Sequence, residues 1–337
     1  MAHYLNFPTI NNINPWNDYS YLQKANAIYL GSAPECDQIL KDKENCELYV
    51  DIGSRNLLIV IGESWTWGEG LYAVDNTGKL KAELASNMPN GSNINLRIDY
   101  TFSGRMANML DHNLHIHSVP GNCNNQMVKA LERILSNIPS NHYDKIKVVL
   151  CLTDPDRDIE HSFDPWPSAK KLFIYNKSNI PVHESLTMDE WAKVYDEEML
   201  AWINSVVDRY KVQHNIDMIV WKNFHNFATT NRNYNFKIIE LPYIRWAAKM
   251  CGLDDIDLPL IQQPHWWSHC HLFKIINPKP DIDYINIQLD KLENVTKFIR
   301  GHPVALSELN KVHPNQTGHF VWAYYLIREA GWLFETY

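Results

Sequence analysis

A chain of 337 residues, 45% hydrophobic and 21% charged, has room for one large domain or a domain with a substantial insertion, in the composition range of ordinary globular folds. Its net charge of −8 comes without a dense Lys/Arg cluster, which argues against a nucleic-acid partner. The longest apolar runs, Leu57 to Gly62 and Lys147 to Leu152, fall far short of the ~20 residues of a membrane span, so no membrane partner is expected either.

The start, from Met1 to Pro15, is polar and Asn-rich with no basic-then-apolar pattern. A secretory signal is therefore not expected, and a cytoplasmic location is. Residues 1 to 55 read as an irregular N-terminal arm with one short helical stretch near Tyr21 to Ile28. Residues 56 to 337 read as the main domain. Asn56 to Gly62 is a continuous apolar, β-branched run ending in Gly, the pattern of a strand buried on both faces. A helix is expected from Phe102 to Leu110 and a second strand from His115 to Val119, ended by Pro120-Gly121. Asn125 to Leu135 reads as a helix and Lys147 to Leu152 as a third buried strand. Residues 154 to 180, rich in Pro, Asp and aromatics, read as a long functional loop.

Thr187-Met-Asp-Glu190 is a capping box that opens a long helix toward Tyr210. Asp217 to Trp221 is a fourth strand before the polar turn Lys222-Asn223. Helices are expected over Pro242 to Cys251 and Leu289 to Ile299, with a second irregular aromatic stretch, 254 to 280, between them. Gln316 to Ala330 closes the chain as a helix stopped by Gly331. Strands alternating with helices imply a parallel sheet covered on both faces. Ligands of such sheets sit at the C-terminal strand ends. Gly62-Glu-Ser64, Pro120-Gly121, Thr153-Asp154 and Lys222-Asn223 all fall there.

Two of these ends carry chemistry. Ser64 follows a buried strand within Gly62-Glu-Ser-Trp-Thr-Trp-Gly68, where glycines permit a sharp turn. Its hydroxyl can face the sheet edge while its own N–H serves an oxyanion. Far along the chain, His313 precedes Pro314, which holds it in an extended loop ahead of the last helix. Read together, these segments resemble the SGNH (GDSL-like) hydrolase superfamily. Gly62 to Gly68 is similar to the family's nucleophile block. Val119-Pro-Gly121-Asn-Cys-Asn-Asn125 is similar to its second block, Cys151-Leu-Thr-Asp154 stands in place of its third, and Asn310-Lys-Val-His313 resembles its final Asp-x-x-His.

The resemblance implies a flavodoxin-like three-layer α/β/α sandwich with a parallel sheet of about five strands. It also implies Ser64 as nucleophile, His313 as general base, and an oxyanion hole from the N–H groups of Ser64 and Gly121 with the Thr153 hydroxyl. Trp65, Asn122, Asp154 and Arg157 are the expected substrate contacts, although Asp154 and Arg157 could equally form a loop-fixing ion pair. The chain departs from the pattern at three places. Glu63 replaces an Asp at a position that is not catalytic in the family. Thr153 replaces an Asn, with a shorter reach. Asn310 replaces the Asp that orients the His, a change that lowers kcat by ~10⁴ in serine proteases. Three outcomes stay open: a Ser-His dyad oriented by a backbone carbonyl, an orienting role for Glu308, or a degraded site kept for binding.

The expected substrate is a small or carbohydrate ester, with deacetylation the leading chemistry. A non-catalytic structural or glycan-binding role, virion-associated in a phage or environmental-bacterial relative, is the alternative. The 12 Trp and 17 Tyr, with many Asn and His, suit sugar stacking but also cores and the interfaces of a homo-oligomer or virion assembly. No cofactor or metal is expected. The six cysteines (Cys36, Cys46, Cys123, Cys151, Cys251, Cys270) form no CxxC pair, and Cys151 reads as a small core residue. His265 and His269 have helical i, i+4 spacing suited to zinc, but no carboxylate completes an HExxH pattern.

Overall fold

The structure is a computed structural model that describes residues 21–30, 47–68, 71–74, 80–83, 94–153, 158, 175–176, 180–181, 188–222, 233–239 and 316–332. After a 3-10 turn at Tyr21–Lys24, the first elements are β1 (Ala27–Leu30), β2 (Glu47–Asp51), β3 (Asn56–Gly62) and α1 (Ser64–Trp67). They are followed by β4 (Tyr72–Val74), β5 (Leu80–Glu83), α2 (Ile94–Tyr100), α3 (Phe102–Leu110), β6 (Asn113–Ser118), α4 (Asn124–Asn137) and β7 (Lys145–Leu152). The short pair β8 (Tyr175–Asn176) and β9 (Ile180–Pro181) precedes α5 (Met188–Lys211), β10 (Ile216–Lys222), β11 (Lys237–Ile239) and α6 (Gln316–Ala330). The expected helices at 242–251 and 289–299 and the aromatic stretch 254–280 lie outside the described residues.

The chain divides into two compact units. One comprises Ala25–Trp67 and Leu110–Glu240; the other comprises Met1–Lys24, Gly68–Met109 and Leu241–Tyr337. The first unit is built on a seven-stranded sheet in the order β1-β2-β6-β3-β7-β10-β11. Strands β6, β3, β7, β10 and β11 run parallel, and β2 and β1 add an antiparallel edge. By order of appearance the parallel strands lie second, first, third, fourth, fifth. The connection after β3 therefore goes to one side of it and all later ones go to the other.

The apolar run of β3 is continuous because both faces are covered. Leu57, Ile59 and Ile61 share a core with Ile146, Val148 and Leu150 of β7 and Met218 and Val220 of β10. Alternate residues Leu58 and Val60 are equally inaccessible. On the first face lie α4 and α5. Met127, Val128, Leu131, Ile134 and Leu135 form the i, i+1, i+4, i+7, i+8 stripe of α4, and Met199, Leu200, Ile203, Val206 and Val207 repeat it on α5. Each such side chain, fully buried, contributes ~1.5–3 kcal/mol. Helix α4 ends at Ile138, whose extended φ −75°, ψ 124° is what a following proline imposes.

The arm reading needs correction. Ile28, expected to close a helical stretch, is a strand residue paired with Val50, and β1 and β2 belong to the sheet. The helical part is one 3-10 turn. Four residues cannot sustain a helix, and the following segment, Ala27–Leu30, satisfies its backbone by pairing with β2. In the other unit, α2, α3 and α6 pack around Phe102, whose ring lies 3.9 Å from that of Trp322 and whose N–H donates to His319 Nδ1 at 3.2 Å. A Cβ on Gly104 would stand 1.5 Å from the Ile98 carbonyl oxygen, so α3 can approach α2 only through glycine.

One buried ionic group ties the antiparallel edge to α4. The Glu47 carboxylate on β2 accepts from His115 Nε2 at 2.8 Å and from Arg133 Nη2 at 3.1 and 3.2 Å. Burial pushes the Glu47 pKa up. The hydrogen bond from His115 and the charges of His115, Arg133 and His117 outweigh that and bring it from 4.5 down to about 2. A depressed folded value gives stability that is present above the unfolded value and is lost as pH falls through the folded one. Glu47→Gln is therefore expected to cost about 3 kcal/mol at neutral pH, a difference that closes between about pH 4.5 and 2. Denaturant titrations of both proteins across that window check this; a pH-independent difference contradicts it.

Candidate functional site

Ser64 is the first residue of α1, directly after β3. The turn into it is so tight that a Cβ on Gly62 would sit 1.9 Å from Thr66 Oγ1 and 2.7 Å from Thr66 Cβ. The Trp67 N–H closes the first helical bond onto the Glu63 carbonyl at 2.8 Å. The Glu63 carboxylate folds over the same turn. It accepts from the Ser64 N–H at 2.7 Å, the Ser64 Oγ at 2.5 Å and the Trp65 N–H at 3.2 Å. Glu63 and Ser64 are both buried.

The strands beside β3 deliver the other two predicted segments. Neighbouring strands lie ~4.8 Å apart, so the ends of β6 and β7 flank Ser64 at one strand spacing each. At the end of β6, the Asn122 N–H donates to the Val119 carbonyl at 2.9 Å, with Pro120 second and Gly121 third at φ +77°. This is the pattern of a type II turn, which demands the left-handed region at its third residue. The turn bond uses the N–H of Asn122 and leaves that of Gly121 outside it. The Val119 N–H reaches the Gly62 carbonyl at 3.3 Å, which joins this turn to the end of β3.

At the end of β7, the backbone of Thr153 is clamped by one side chain. Asn124 Oδ1 accepts its N–H at 2.7 Å, and Asn124 Nδ2 donates to its carbonyl at 2.9 Å. Asn124 Nδ2 also reaches the Tyr195 hydroxyl at 3.0 Å. That hydroxyl donates to Asp158, whose other oxygen takes the Asn125 N–H at 2.9 Å. Thr153 is thus tied to the start of α4 and to α5 through buried groups. Burial pushes the Asp158 carboxyl up, against the hydrogen bonds from Tyr195 and the α4 backbone. One strand further on, Lys222 at the end of β10 pairs with Asp196 of α5, both largely buried.

Among the described residues, three side-chain donors at this edge lack a partner: Thr66 Oγ1, Asn122 Nδ2 and Thr153 Oγ1, each buried. Buried polar groups are nearly always paired. Asn122 Nδ2 and Thr153 Oγ1, at strand ends on either side of the serine, can each donate to an acceptor within reach. The thiols nearby are poor nucleophiles, since burial pushes Cys123 up to about 11 and Cys151 well above the ordinary thiol range.

Of the predicted site residues, the structure brings Ser64, Gly121, Asn122 and Thr153 to adjoining ends of β3, β6 and β7. Trp65, expected at the substrate, follows Ser64 in α1 and is buried like it, and the Ser64 N–H expected at the oxyanion is engaged by Glu63. Asp154, Arg157, Glu308, Asn310, His313, His265 and His269 lie outside the described residues. Among those described, no group of three His, Cys, Asp or Glu side chains could hold a metal ion, and no helix is long and apolar enough to cross a membrane. The contacts of Glu63, Asn124, Asp158 and Tyr195 were not anticipated. The pair Asn124-Asn125 at a helix start was the available signal, because buried amides there imply backbone partners.

A cavity of about 450 Å³ opens at the opposite end of the parallel strands, lined by Asp51, Arg55, Asn113, His142 and Tyr143 among others. The Tyr49 and Tyr143 hydroxyls bond each other at 2.9 Å there. Neither the known protein families nor the curated proteins hold a significant match to this chain.

Proposed function

We propose that the chain is a serine ester hydrolase of the SGNH type, with the five parallel strands as a flavodoxin-like core inside an α/β/α sandwich. Their spatial order, second-first-third-fourth-fifth, is the flavodoxin-like one, and its reversal falls between β3 and β7, where such folds bind ligands. The observation that carries the reading is Ser64 at that reversal, flanked by the buried, unpartnered donors Asn122 Nδ2 and Thr153 Oγ1.

In this reading Ser64 Oγ attacks an ester carbonyl and His313 takes its proton. The Gly121 N–H and the Thr153 hydroxyl hold the tetrahedral oxyanion, and water resolves the acyl-enzyme with His313 again as base. The aromatic content and the resemblance together favour an O-acetylated carbohydrate as substrate. A binding role for a degraded site is the second reading, favoured by Asn310 at the orienting position and by the hold of Glu63 on Ser64.

Turnover of a chromogenic acetyl ester separates the two. Thr153→Val keeps the side-chain shape and removes the donor. It is expected to lower kcat about 100-fold with KM nearly unchanged, the mark of an interaction made only in the transition state. Equal kcat in both proteins removes Thr153 from the oxyanion hole. Asn310→Asp is expected to raise the rate, and absence of turnover in every form supports the binding role.

A further inference from the structure

We propose that Glu63 is a catalytic residue: its carboxylate accepts the Ser64 proton during acylation, and its protonation releases the Ser64 N–H to the substrate oxyanion. The proposal rests on the esterase reading and changes one part of it: the Ser64 proton goes to Glu63 rather than to His313, which is the base left when Glu63 is removed. Its ground is one carboxylate oxygen, Glu63 Oε2, that takes both the Ser64 Oγ at 2.5 Å and the Ser64 N–H at 2.7 Å. Both residues are less than one-tenth exposed, so bulk water competes little for the proton. The acceptor is in place before substrate arrives, within the distance a general base requires. Carboxylates are weak bases, and the short, sheltered contact is what offsets this.

The same contact explains how one N–H can serve twice. At rest the Ser64 N–H is held by the Glu63 carboxyl, so it is not available as an oxyanion donor. As Ser64 Oγ bonds to the ester carbon, its proton moves to Glu63 Oε2 and the carbonyl π pair moves onto the substrate oxygen. Negative charge thereby leaves Glu63 and arises on the substrate. Hydrogen bonds to an ionised acceptor are roughly twice as strong as those between neutral groups, so the Ser64 N–H now favours the substrate oxygen. Collapse of the intermediate re-forms the carbonyl and expels the alkoxide, which takes the proton back from Glu63. Water then repeats the sequence on the acyl-enzyme and the acid leaves. The Asn310 replacement becomes intelligible here, because a chain with a carboxylate on the nucleophile depends less on an orienting acid behind His313.

The test is the rate of fluorophosphonate labelling as a function of pH, for the wild type, Glu63→Asp and Glu63→Gln, with circular dichroism reporting folding. The wild-type rate is expected to rise in a step that follows ionisation of the Glu63 carboxyl and is absent from Glu63→Gln. Glu63→Gln is expected to lose about 100-fold or more and to shift its remaining rise to the imidazole range near 6.5. Glu63→Asp is expected to retain the carboxylate step at a reduced rate. A wild-type rise in the imidazole range, unchanged by Glu63→Gln, overturns the role of Glu63 and leaves the esterase reading standing. If Glu63→Gln fails to fold, Glu63→Asp decides: a rate and pH profile equal to the wild type overturn the role of Glu63. A wild type neither labelled nor active on acetyl esters from about pH 4 to 9 overturns the esterase reading, and this proposal with it.

Discussion

Ser64→Ala is expected to abolish the proposed ester turnover, with kcat falling about 10⁴-fold or more, the scale seen when a serine nucleophile is removed. The size follows from the loss of covalent catalysis as a route, since neither nearby thiol can take over at neutral pH. Cys123 titrates near 11 and Cys151 higher still. The fold is expected to survive. Alanine suits the first turn of a helix, Gly62 still permits the turn, and the Glu63 carboxylate keeps the residue-64 and Trp65 N–H groups as partners. The variant should therefore match the wild type in circular dichroism and melting temperature. Activity lost with stability kept assigns the hydroxyl to chemistry; activity unchanged ends the serine mechanism.

Gly62→Ala is expected to destabilise the fold strongly. The added methyl would meet Thr66 Oγ1 at 1.9 Å and Thr66 Cβ at 2.7 Å, with Cys151 Cβ at 3.3 Å behind. No rotation of Thr66 relieves the contact with its Cβ, so α1 must move off the end of β3. Overpacking in a filled core costs about 1–3 kcal/mol, and the upper end is expected because the obstruction lies close to the backbone. Turnover should also fall, since a displacement of about 1 Å at a reacting group costs ~10²-fold. Thr66→Ala in the same chain removes the nearer contact and leaves the Cβ one, so it should recover part of the lost stability and not all. Thermal melts of the single and double variants check this. A Gly62→Ala protein as stable as the wild type contradicts the geometry of the turn.

The parts of the fold legible in the sequence were those with one dominant cause. Strands β3, β7 and β10 stand out because burial on both faces leaves an unbroken apolar run, and their observed bounds agree with the reading within two residues. Helices α4 and α5 stand out by their apolar stripe, and α4 by the proline after it. Strands β1 and β2 did not, because an antiparallel edge strand is defined by its partner. Tyr29 pairs with Tyr49 and Tyr49 with His115, and nothing local in either segment announces this.

The site divides the same way. Ser64, Gly121 and Thr153 were legible because glycines, a proline and strand ends fix the backbone, and backbone placement follows from pattern. Glu63 was read as standing at a position that is not catalytic in the family, yet its carboxylate lies on both donors of the serine. That depends on a rotamer, which no spacing encodes. The clamp of Asn124 on Thr153 bridges 29 positions, and only the order of β6, β3 and β7 brings its ends together.

The most direct measurement is a fluorophosphonate reaction of the whole protein followed by intact mass and peptide mapping. A single adduct is predicted, carried by the peptide containing Ser64 and absent from Ser64→Ala. No adduct at any neutral or alkaline pH, or an adduct elsewhere that forms equally fast without the Ser64 hydroxyl, would contradict a nucleophile at the end of β3.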